Sequence, residues 1–312
     1  MPTATVVIPT YRRPARLRAL LDCLTRQSPD ALARVVVCDD GSGDETEAVA
    51  RSFVDRLPLE YAWQPDLGFR AGQARNMGIE RAIGDIVVFV DDDVILRPDF
   101  VAEHLAAHAG HDGSTIAIGY RHRTDHFEGG IPSAAEILAA EREDRLLELE
   151  GPIEEHPTPW IYVYSCNFSV TRGAAELRFD EGFFGWGLED TELGYRVFHA
   201  GARIVEARGA RVLHVEDPTP RDPFRCEVRA LPPSYDTYVE NAVYFMDKHP
   251  HDRELEAFVR GDLRWYVLDE HGRWVKNGYA NDVDAVISGC RARLRARAAS
   301  RTSTTRTLPE TA

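Results

Sequence analysis

Lysine is nearly absent from this chain. Of its 312 residues only Lys248 and Lys276 carry an ε-ammonium, and neither follows a glycine-rich loop. A phosphate cradle built on Gly-x-x-x-x-Gly-Lys is thereby excluded, and no Gly-x-Gly-x-x-Gly follows the first strand pattern, which disfavours a dinucleotide-dependent oxidoreductase. Cysteine is scarce too: Cys23, Cys38, Cys166, Cys226 and Cys290 are odd in number, scattered and without a Cys-x-x-Cys pair. Neither a disulfide framework nor a zinc cluster is expected from them, and reduced thiols are the default. No apolar run approaches the roughly 20 residues that span a bilayer, and no charged-then-apolar segment opens the chain, so a cytoplasmic location is expected. The net charge of −14 would repel a polyanion over most of the surface, which argues against nucleic acid as a partner. What is present, 44% hydrophobic and 28% charged residues, suffices for one large core or for a domain with an appendage.

The chain is organised around residues 85–94, Asp-Ile-Val-Val-Phe-Val-Asp-Asp-Asp-Val. Ile86 to Val90 read as a strand buried on both faces, too short to be a membrane span. Ligands of open α/β sheets gather beyond the carboxyl ends of such strands, where Asp91, Asp92 and Asp93 arrive together. Three crowded carboxylates repel one another and are tolerated in water or beside a hard divalent cation, which bridges readily to phosphates. A solvated acidic turn would carry the same letters.

Strand and helix patterns alternate on both sides of this stretch, as in a largely parallel sheet with helices on its faces. A strand is predicted over Thr5 to Ile8, broken by Pro9, then a helix from Pro14 with Leu17, Leu20, Leu21 and Leu24 on one face. A strand over Val35 to Cys38 ends in Asp39-Asp40-Gly41-Ser42. Asp44 and Glu47 have the spacing to cap a helix whose Val49, Phe53, Val54 and Leu57 face the sheet. Leu59 to Trp63 gives a strand, Gly72 to Ile83 a helix, Pro98 to about Ala109 another helix and Thr115 to Ile118 another strand. Pro9-Thr10-Tyr11, Asp39-Asp40 and the three aspartates thus end at one edge. Arg75 and Asn76, near a helix start, suit a diphosphate.

In the second half, Ser133 and Glu136 form a capping box for an acidic helix predicted to reach about Glu150. Trp160 to Val170 reads as a strand ending in Ser-Cys-Asn-Phe-Ser. In Phe183-Phe184-Gly185-Trp186-Gly187-Leu188-Glu189-Asp190, two glycines flank a tryptophan and an acidic pair opens a helix to Ala200. First-turn acids are ordinary dipole partners, but an exposed aromatic between glycines beside a carboxylate also suits a pyranose, whose apolar face packs on a ring. Arg203 to Glu206 and Arg211 to Leu213 read as two short strands, the second delivering His214. An imidazole beside carboxylates favours manganese among the hard divalent ions.

Four signatures, Val-Ile-Pro-Thr-Tyr, Val-Cys-Asp-Asp-Gly-Ser, Gly-Phe-Arg-Ala-Gly-Gln-Ala-Arg-Asn-Met-Gly and Phe-Val-Asp-Asp-Asp-Val, occur in one order over about residues 4–216. Together they resemble the inverting family 2 glycosyltransferases of the GT-A fold, a Rossmann-like α/β architecture with a mostly parallel mixed sheet flanked by helices. Phe-Gly-Trp-Gly-Leu-Glu-Asp-Thr-Glu-Leu-Gly-Tyr-Arg is similar to the acceptor region of chondroitin-polymerase and galactosyltransferase relatives. The resemblance implies that Pro9, Thr10, Tyr11 and Asp40 hold the nucleotide base, Arg75 the diphosphate, and Asp91 and Asp92 the ribose and metal shell. It implies Asp93 and His214, with Asp91, as metal ligands for Mn2+ or Mg2+, and Asp190 as catalytic base. Trp186, Glu189 and Asn167 fall to the acceptor. Three aspartates stand where many relatives have Asp-x-Asp, which leaves open which of them touches the metal.

The expected activity is transfer of a hexosyl or N-acetylhexosaminyl group from a nucleotide sugar, with UDP as the expected nucleotide. The acceptor class spans saccharide, lipid-linked, peptide and small-molecule hydroxyls. A nucleotide-sugar-binding protein without turnover is one alternative. A Mg-dependent phosphatase is another, and it wants aspartates on the first strand and a downstream lysine. A donor half over about 1–119 and an acceptor half over about 120–232 are predicted. A helical extension follows over 233–298, with helical patterns at Tyr235 to Lys248, Asp252 to Leu268 and Asp282 to Ala298. This extension is available to cover the acceptor side or to form a homodimer contact. Arg291, Arg293, Arg295, Arg297, Arg301 and Arg306 lead into a Ser/Thr-rich tail over 299–312, read as a solvated, disordered end, with contact to an anionic membrane as the sharper hypothesis. The closing Leu-Pro-Glu-Thr-Ala resembles a sortase sorting signal but lacks the hydrophobic segment that would follow.

Overall fold

Strand β1, Ala4–Thr10, runs straight through Pro9 and pairs in parallel with β2, Leu32–Asp39, on one side and β4, Ile86–Phe89, on the other. Pro9 does not break it because the β4 ladder ends at Val7, two residues earlier, so no partner there needs the N–H that proline lacks. The computed structural model describes residues 2–124, 133–142, 146, 149–215 and 235–304. The chain divides into two compact units, Met1–Gly182 with Glu189–Thr219, and Phe183–Leu188 with Pro220–Ala312.

The first unit holds a nine-stranded mixed sheet. Its members beyond β1, β2 and β4 are β3 (Leu59–Trp63), β5 (Val94–Leu96), β6 (Thr115–Thr124), β7 (Glu141–Arg142), β8 (Phe168–Thr171) and β9 (Arg203–Val215). The order is β3-β2-β1-β4-β8-β6-β9-β5, with β7 paired to β6. Helices α1 (Pro14–Leu24), α2 (Thr46–Arg51), α3 (Ala71–Glu80), α4 (Phe100–His108), α5 (Ala134–Ala139) and α6 (Glu189–His199) complete it. β1, β2 and β4 are almost wholly buried, as strands covered on both faces must be. Leu17, Leu20, Leu21 and Leu24 of α1 are buried in the core as their spacing predicts. The chain builds β1, β2 and β3 outward in one direction and then returns to lay β4 on the other side of β1. The order therefore reverses beside β1, and the crevice beyond the carboxyl ends of β1 and β4 is where such sheets bind ligands.

Several boundaries differ from expectation. α2 stops at Arg51, leaving Val54 half exposed while Phe53 and Leu57 are buried. Asp44 accepts from Thr46 N at 2.9 Å, without the predicted partnership with Glu47. The Ser133–Glu136 capping box is present, but Ala140 turns to extended backbone and Glu141–Arg142 pair with β6, so the acidic helix ends well short of Glu150. The strand predicted over Trp160 to Val170 is a 3-10 turn at Pro159–Tyr162 followed by β8, because Trp160 and Tyr162 are buried off the ladder. The two strands predicted around Glu206 and Leu213 are one, β9, which tracks β6 in parallel past an irregularity between Ile118 and Tyr120.

The second unit carries α7 (Asp236–Lys248), α8 (Arg253–Leu263), the hairpin β10 (Tyr266–Leu268) and β11 (Trp274–Lys276), and α9 (Val283–Thr304). Residues 264–268, predicted helical, turn into β10, whose Tyr266 is buried. Arg291 pairs with Asp247, and Arg293 Nη1 lies 3.2 Å from Asp236 Oδ1, so two arginines of the basic end are tied to α7. Residues 305–312, with Arg306 and the sortase-like ending, lie outside the described residues. No described helix is long and apolar enough to cross a membrane.

Candidate active site

The switch-point crevice is closed by contacts between strand ends. Thr10 Oγ1 donates to Asp92 Oδ2 at 2.7 Å, joining the end of β1 to the aspartates after β4. Asp40 N donates to Thr10 O at 2.9 Å, joining β2 to the same point. Asp40 is buried and accepts from Gln64 Nε2 at 2.6 Å and Arg70 N at 2.7 Å; burial raises its pKa, and those hydrogen bonds oppose the rise. Tyr11 stands at the rim, 39% exposed, donating to Asp66 Oδ2 at 2.7 Å. Pro9, Thr10, Tyr11, Asp40 and Asp92 are thus brought together as the strand ends predicted. Asp39 is not part of the opening: its carboxylate is taken by the amides of Gly41 and Ser42 and by the Tyr61 hydroxyl, and it holds the turn.

β5 is the element that brings His214 in. The three residues after the aspartates pair antiparallel with β9, Val94 opposite His214, and Val215 N donates to Asp93 O at 2.8 Å. The imidazole Nε2 comes within 3.5 Å of Asp93 Oδ1. That oxygen is buried and accepts no hydrogen bond from the described residues, although desolvating an unpaired carboxylate oxygen is costly. A buried carboxylate oxygen beside an imidazole nitrogen is a donor pair that suits a divalent ion of the manganese or magnesium type. No cluster of three or more metal-holding side chains occurs among the described residues. Asp91 does not join the pair, contrary to expectation: its Oδ1 accepts from Arg75 Nη2 at 2.7 Å.

Arg75 is likewise placed differently from the sequence expectation. It is 3% exposed, and its Nη1 donates to Glu189 Oε1 at 3.0 Å while Nη2 serves Asp91. The two carboxylates raise its pKa against the opposing effect of burial. Its guanidinium thus joins the buried Glu189 of α6 to the partly exposed Asp91 after β4, where an open diphosphate ligand was expected. Glu189 is correspondingly buried, its pKa raised by burial and by neighbouring Asp190 and lowered in part by Arg75. It is an internal partner, not the acceptor-facing residue that its position beside Trp186 suggested.

The cations that meet Asp92 and Asp93 are ones the motif reading passed over. Arg13 Nη1 lies 3.2 Å from Asp92 Oδ1 and 2.9 Å from Asp93 Oδ2, and Arg16 Nη1 lies 3.7 Å from the latter. The signal was present in Arg12-Arg13-Pro14-Ala15-Arg16, the strand-to-helix turn that leaves β1. Burial, with Asp93 alongside, pushes the Asp92 carboxyl up, and Arg13 and the Thr10 hydrogen bond counter it.

Asp190, in the first turn of α6, accepts from Ser165 N and Thr191 N, each at 2.8 Å, which fixes the orientation of its carboxylate. Burial raises its pKa and these two amides restrain the rise. A carboxylate made more basic yet held in one orientation is equipped to take a proton.

Asn167, assigned to the acceptor, is a core residue. Its Nδ2 donates to the carbonyls of Tyr120 and Ala210 at 3.0 and 2.9 Å, so its Oδ1 can only accept, from His104 Nε2 at 2.9 Å. His104 Nδ1 then accepts from the Ser169 hydroxyl at 2.9 Å, which in turn accepts from His108 Nε2 at 2.8 Å. This directional chain ties β6, β8, β9 and α4 together. Burial lowers the pKa of His104 to about 3 and that of His108 to about 4. Unfolded histidines bind protons below about pH 6.5 while these do not, so their contribution to stability is complete above pH 6.5 and is lost as pH falls towards 4 and 3. Thermal denaturation between pH 7 and 4 is expected to fall more steeply in the native chain than in His104→Gln. At about 1.4 kcal/mol per unit the difference amounts to a few kcal/mol; parallel curves would reject it.

Fold and site together define a mixed α/β protein whose switch-point crevice gathers aspartates, arginines and an imidazole. The chain belongs to glycosyl transferase family 2, whose family model matches residues 5–168, and a model described as the N-terminal domain of galactosyltransferase matches residues 179–218. It is similar to the validoxylamine A glucosyltransferase of Streptomyces hygroscopicus subsp. jinggangensis, 37% identical over 233 residues, covering 67% of this chain and 54% of that protein. The chain thus spans about half the length of the curated relatives it matches first. In structure it resembles S. aureus TarS 1–349 in complex with UDP-GlcNAc, with a TM-score of 0.58, 16% identity and coverage of 84% of this chain and 72% of that one. It also resembles the mannosyltransferase PcManGT from Pyrobaculum calidifontis in complex with GDP-Man and Mn2+, with a TM-score of 0.57, 17% identity and coverage of 99% and 81%. The fold is GT-A.

Proposed function

We propose that the chain is a metal-dependent, inverting glycosyltransferase that moves a hexosyl or N-acetylhexosaminyl group from a UDP-sugar to an acceptor hydroxyl. The observation that carries this reading is the meeting of Asp92, Asp93 and His214 with the end of β1 at the switch point of the sheet. Tyr11 would receive the base by its ring and Asp40 by its carboxylate. Asp93 and His214 would hold the ion, which when bound neutralises charge on the departing diphosphate. Arg13 and Arg16 add positive charge on the same side, the role first expected of Arg75. Asp190 takes the proton of the acceptor hydroxyl as that oxygen attacks the anomeric carbon from the face opposite the diphosphate, and one displacement inverts the configuration. Trp186 offers its ring to the acceptor. A glucosyltransferase among the relatives and a UDP-GlcNAc complex among the structural neighbours support the donor class.

The test is a thermal-shift panel of UDP-, GDP- and dTDP-sugars with Mn2+ or with a chelator. A UDP-sugar is expected to stabilise only with the metal, by about 2.7 kcal/mol at one hundred times its Kd. Asp93→Asn and His214→Ala are expected to abolish the metal dependence. Stabilisation that is the same in chelator, or none with any donor, rejects the reading.

A further inference from the structure

The loop that carries Trp186 belongs to the second unit, not to the first unit, which carries Asp190. Residues Phe183–Leu188 group with the helical unit, and the chain passes back into the sheet unit at Glu189. Within the second unit that loop is fastened to α7 along its length. The Thr237 hydroxyl accepts from Trp186 N and donates to Trp186 O, each at 3.2 Å. Asn241, 4% exposed, donates from Nδ2 to Gly187 O at 2.9 Å and to Phe184 O at 3.3 Å, and accepts from Phe184 N at 3.4 Å.

The two glycines follow from this fastening. Gly185 has φ +73, and a Cβ there would lie 2.4 Å from Thr237 Cγ2; Gly187 has φ +115, and a Cβ there would lie 2.6 Å from Tyr238 Cδ2. The glycines let the loop backbone press onto α7 in a conformation that other residues resist. Leu188 continues the left-handed backbone at φ 69. The result is a fixed aromatic shelf. The Trp186 and Tyr238 rings lie 5.4 Å apart at 30°, Tyr238 and Tyr266 lie 5.7 Å apart at 29°, and Trp186 remains 57% exposed. Large aromatic surface left in water, backed by a second ring and held by hydrogen bonds, suits the apolar face of a pyranose.

We infer that α7 determines acceptor selection: Thr237 and Asn241 are positioning residues for Trp186, and Trp186 with Tyr238 forms the shelf on which an acceptor hexopyranoside packs. All three α7 residues lie outside residues 5–168 and 179–218, so neither family model assigns them a role. The inference rests on the glycosyl-transfer reading above, which supplies the sugar as acceptor. Relatives that share the donor half but differ in the counterpart of α7 would then accept different sugars.

The full chain, with UDP and Mn2+, is titrated with methyl β-glucoside, methyl β-galactoside and methyl N-acetyl-β-glucosaminide, following tryptophan fluorescence with Trp186→Phe as baseline. At least one glycoside is expected to bind saturably. Thr237→Val and Tyr238→Ala are expected to weaken it at least tenfold, and Thr237→Ser, which keeps the hydroxyl, to stay within twofold of the native chain. UDP affinity should be the same in all. Native-like glycoside binding in Thr237→Val and Tyr238→Ala overturns the inference, as does equal loss of glycoside and UDP binding with a lowered Tm, which marks general damage. A native chain that binds UDP but no glycoside overturns the shelf and leaves the glycosyl-transfer reading standing. A native chain that binds neither overturns both.

Discussion

Asp190→Asn is expected to leave donor binding within about twofold of native and to lower transfer by ~10²–10⁴, the usual contribution of a positioned general base. Asparagine fills the same space, but one of the two backbone amides, from Ser165 or Thr191, loses its acceptor. A stability cost of about 1 kcal/mol should accompany the loss of rate and can be measured separately. The native pH profile carries a second signature. Burial raises the Asp190 pKa, and a base works only when deprotonated, so the rate should fall on the acid side with a midpoint above the ordinary aspartate value of about 3.9. Donor affinity by calorimetry together with product formation decides the matter. Near-native turnover in Asp190→Asn rejects the assignment of the base.

Arg75→Met is expected to destabilise the protein by about 3–5 kcal/mol, because it leaves the carboxyl of Glu189 buried with its charge partner removed. Methionine replaces the length and apolar stem of the arginine, so the loss reports charge more than volume. Adding Glu189→Gln in the same chain should recover part of the loss, and the non-additivity of the two changes measures their coupling. Urea unfolding at constant m gives the numbers. If Arg75→Met unfolds like the native chain but binds UDP tenfold more weakly, then Arg75 serves the diphosphate, as the family resemblance implied.

The difference between these two outcomes marks where sequence reading stopped. Types and order of elements were legible in the donor half because most strands are short apolar runs ended by a polar turn, and the helices repeat apolar residues at helical spacing. Which polar residues face one another was not legible. Arg75 looked like a surface guanidinium near a helix start, and only the approach of α6 to α3 makes it a buried bridge. Asn167 looked like a polar strand residue near the acceptor segment; contact with His104 across the sheet makes it a core brace. His214 lies near the end of its strand as the pattern implied, yet its distance from Asp93 depended on β5, which at three residues is too short to register as a strand.

The sequence by itself determined the α/β alternation, the carboxylates at the end of the central strand and the tryptophan between glycines. Burial, charge spacing and turn chemistry act over a few residues and can be read along a line. Tertiary structure alone decided which arginines meet the aspartates, which acids are partners inside the protein, and that the tryptophan loop is fastened to α7. Those outcomes depend on contacts between residues dozens of positions apart, where strand register and helix packing choose among side chains that look alike in one dimension.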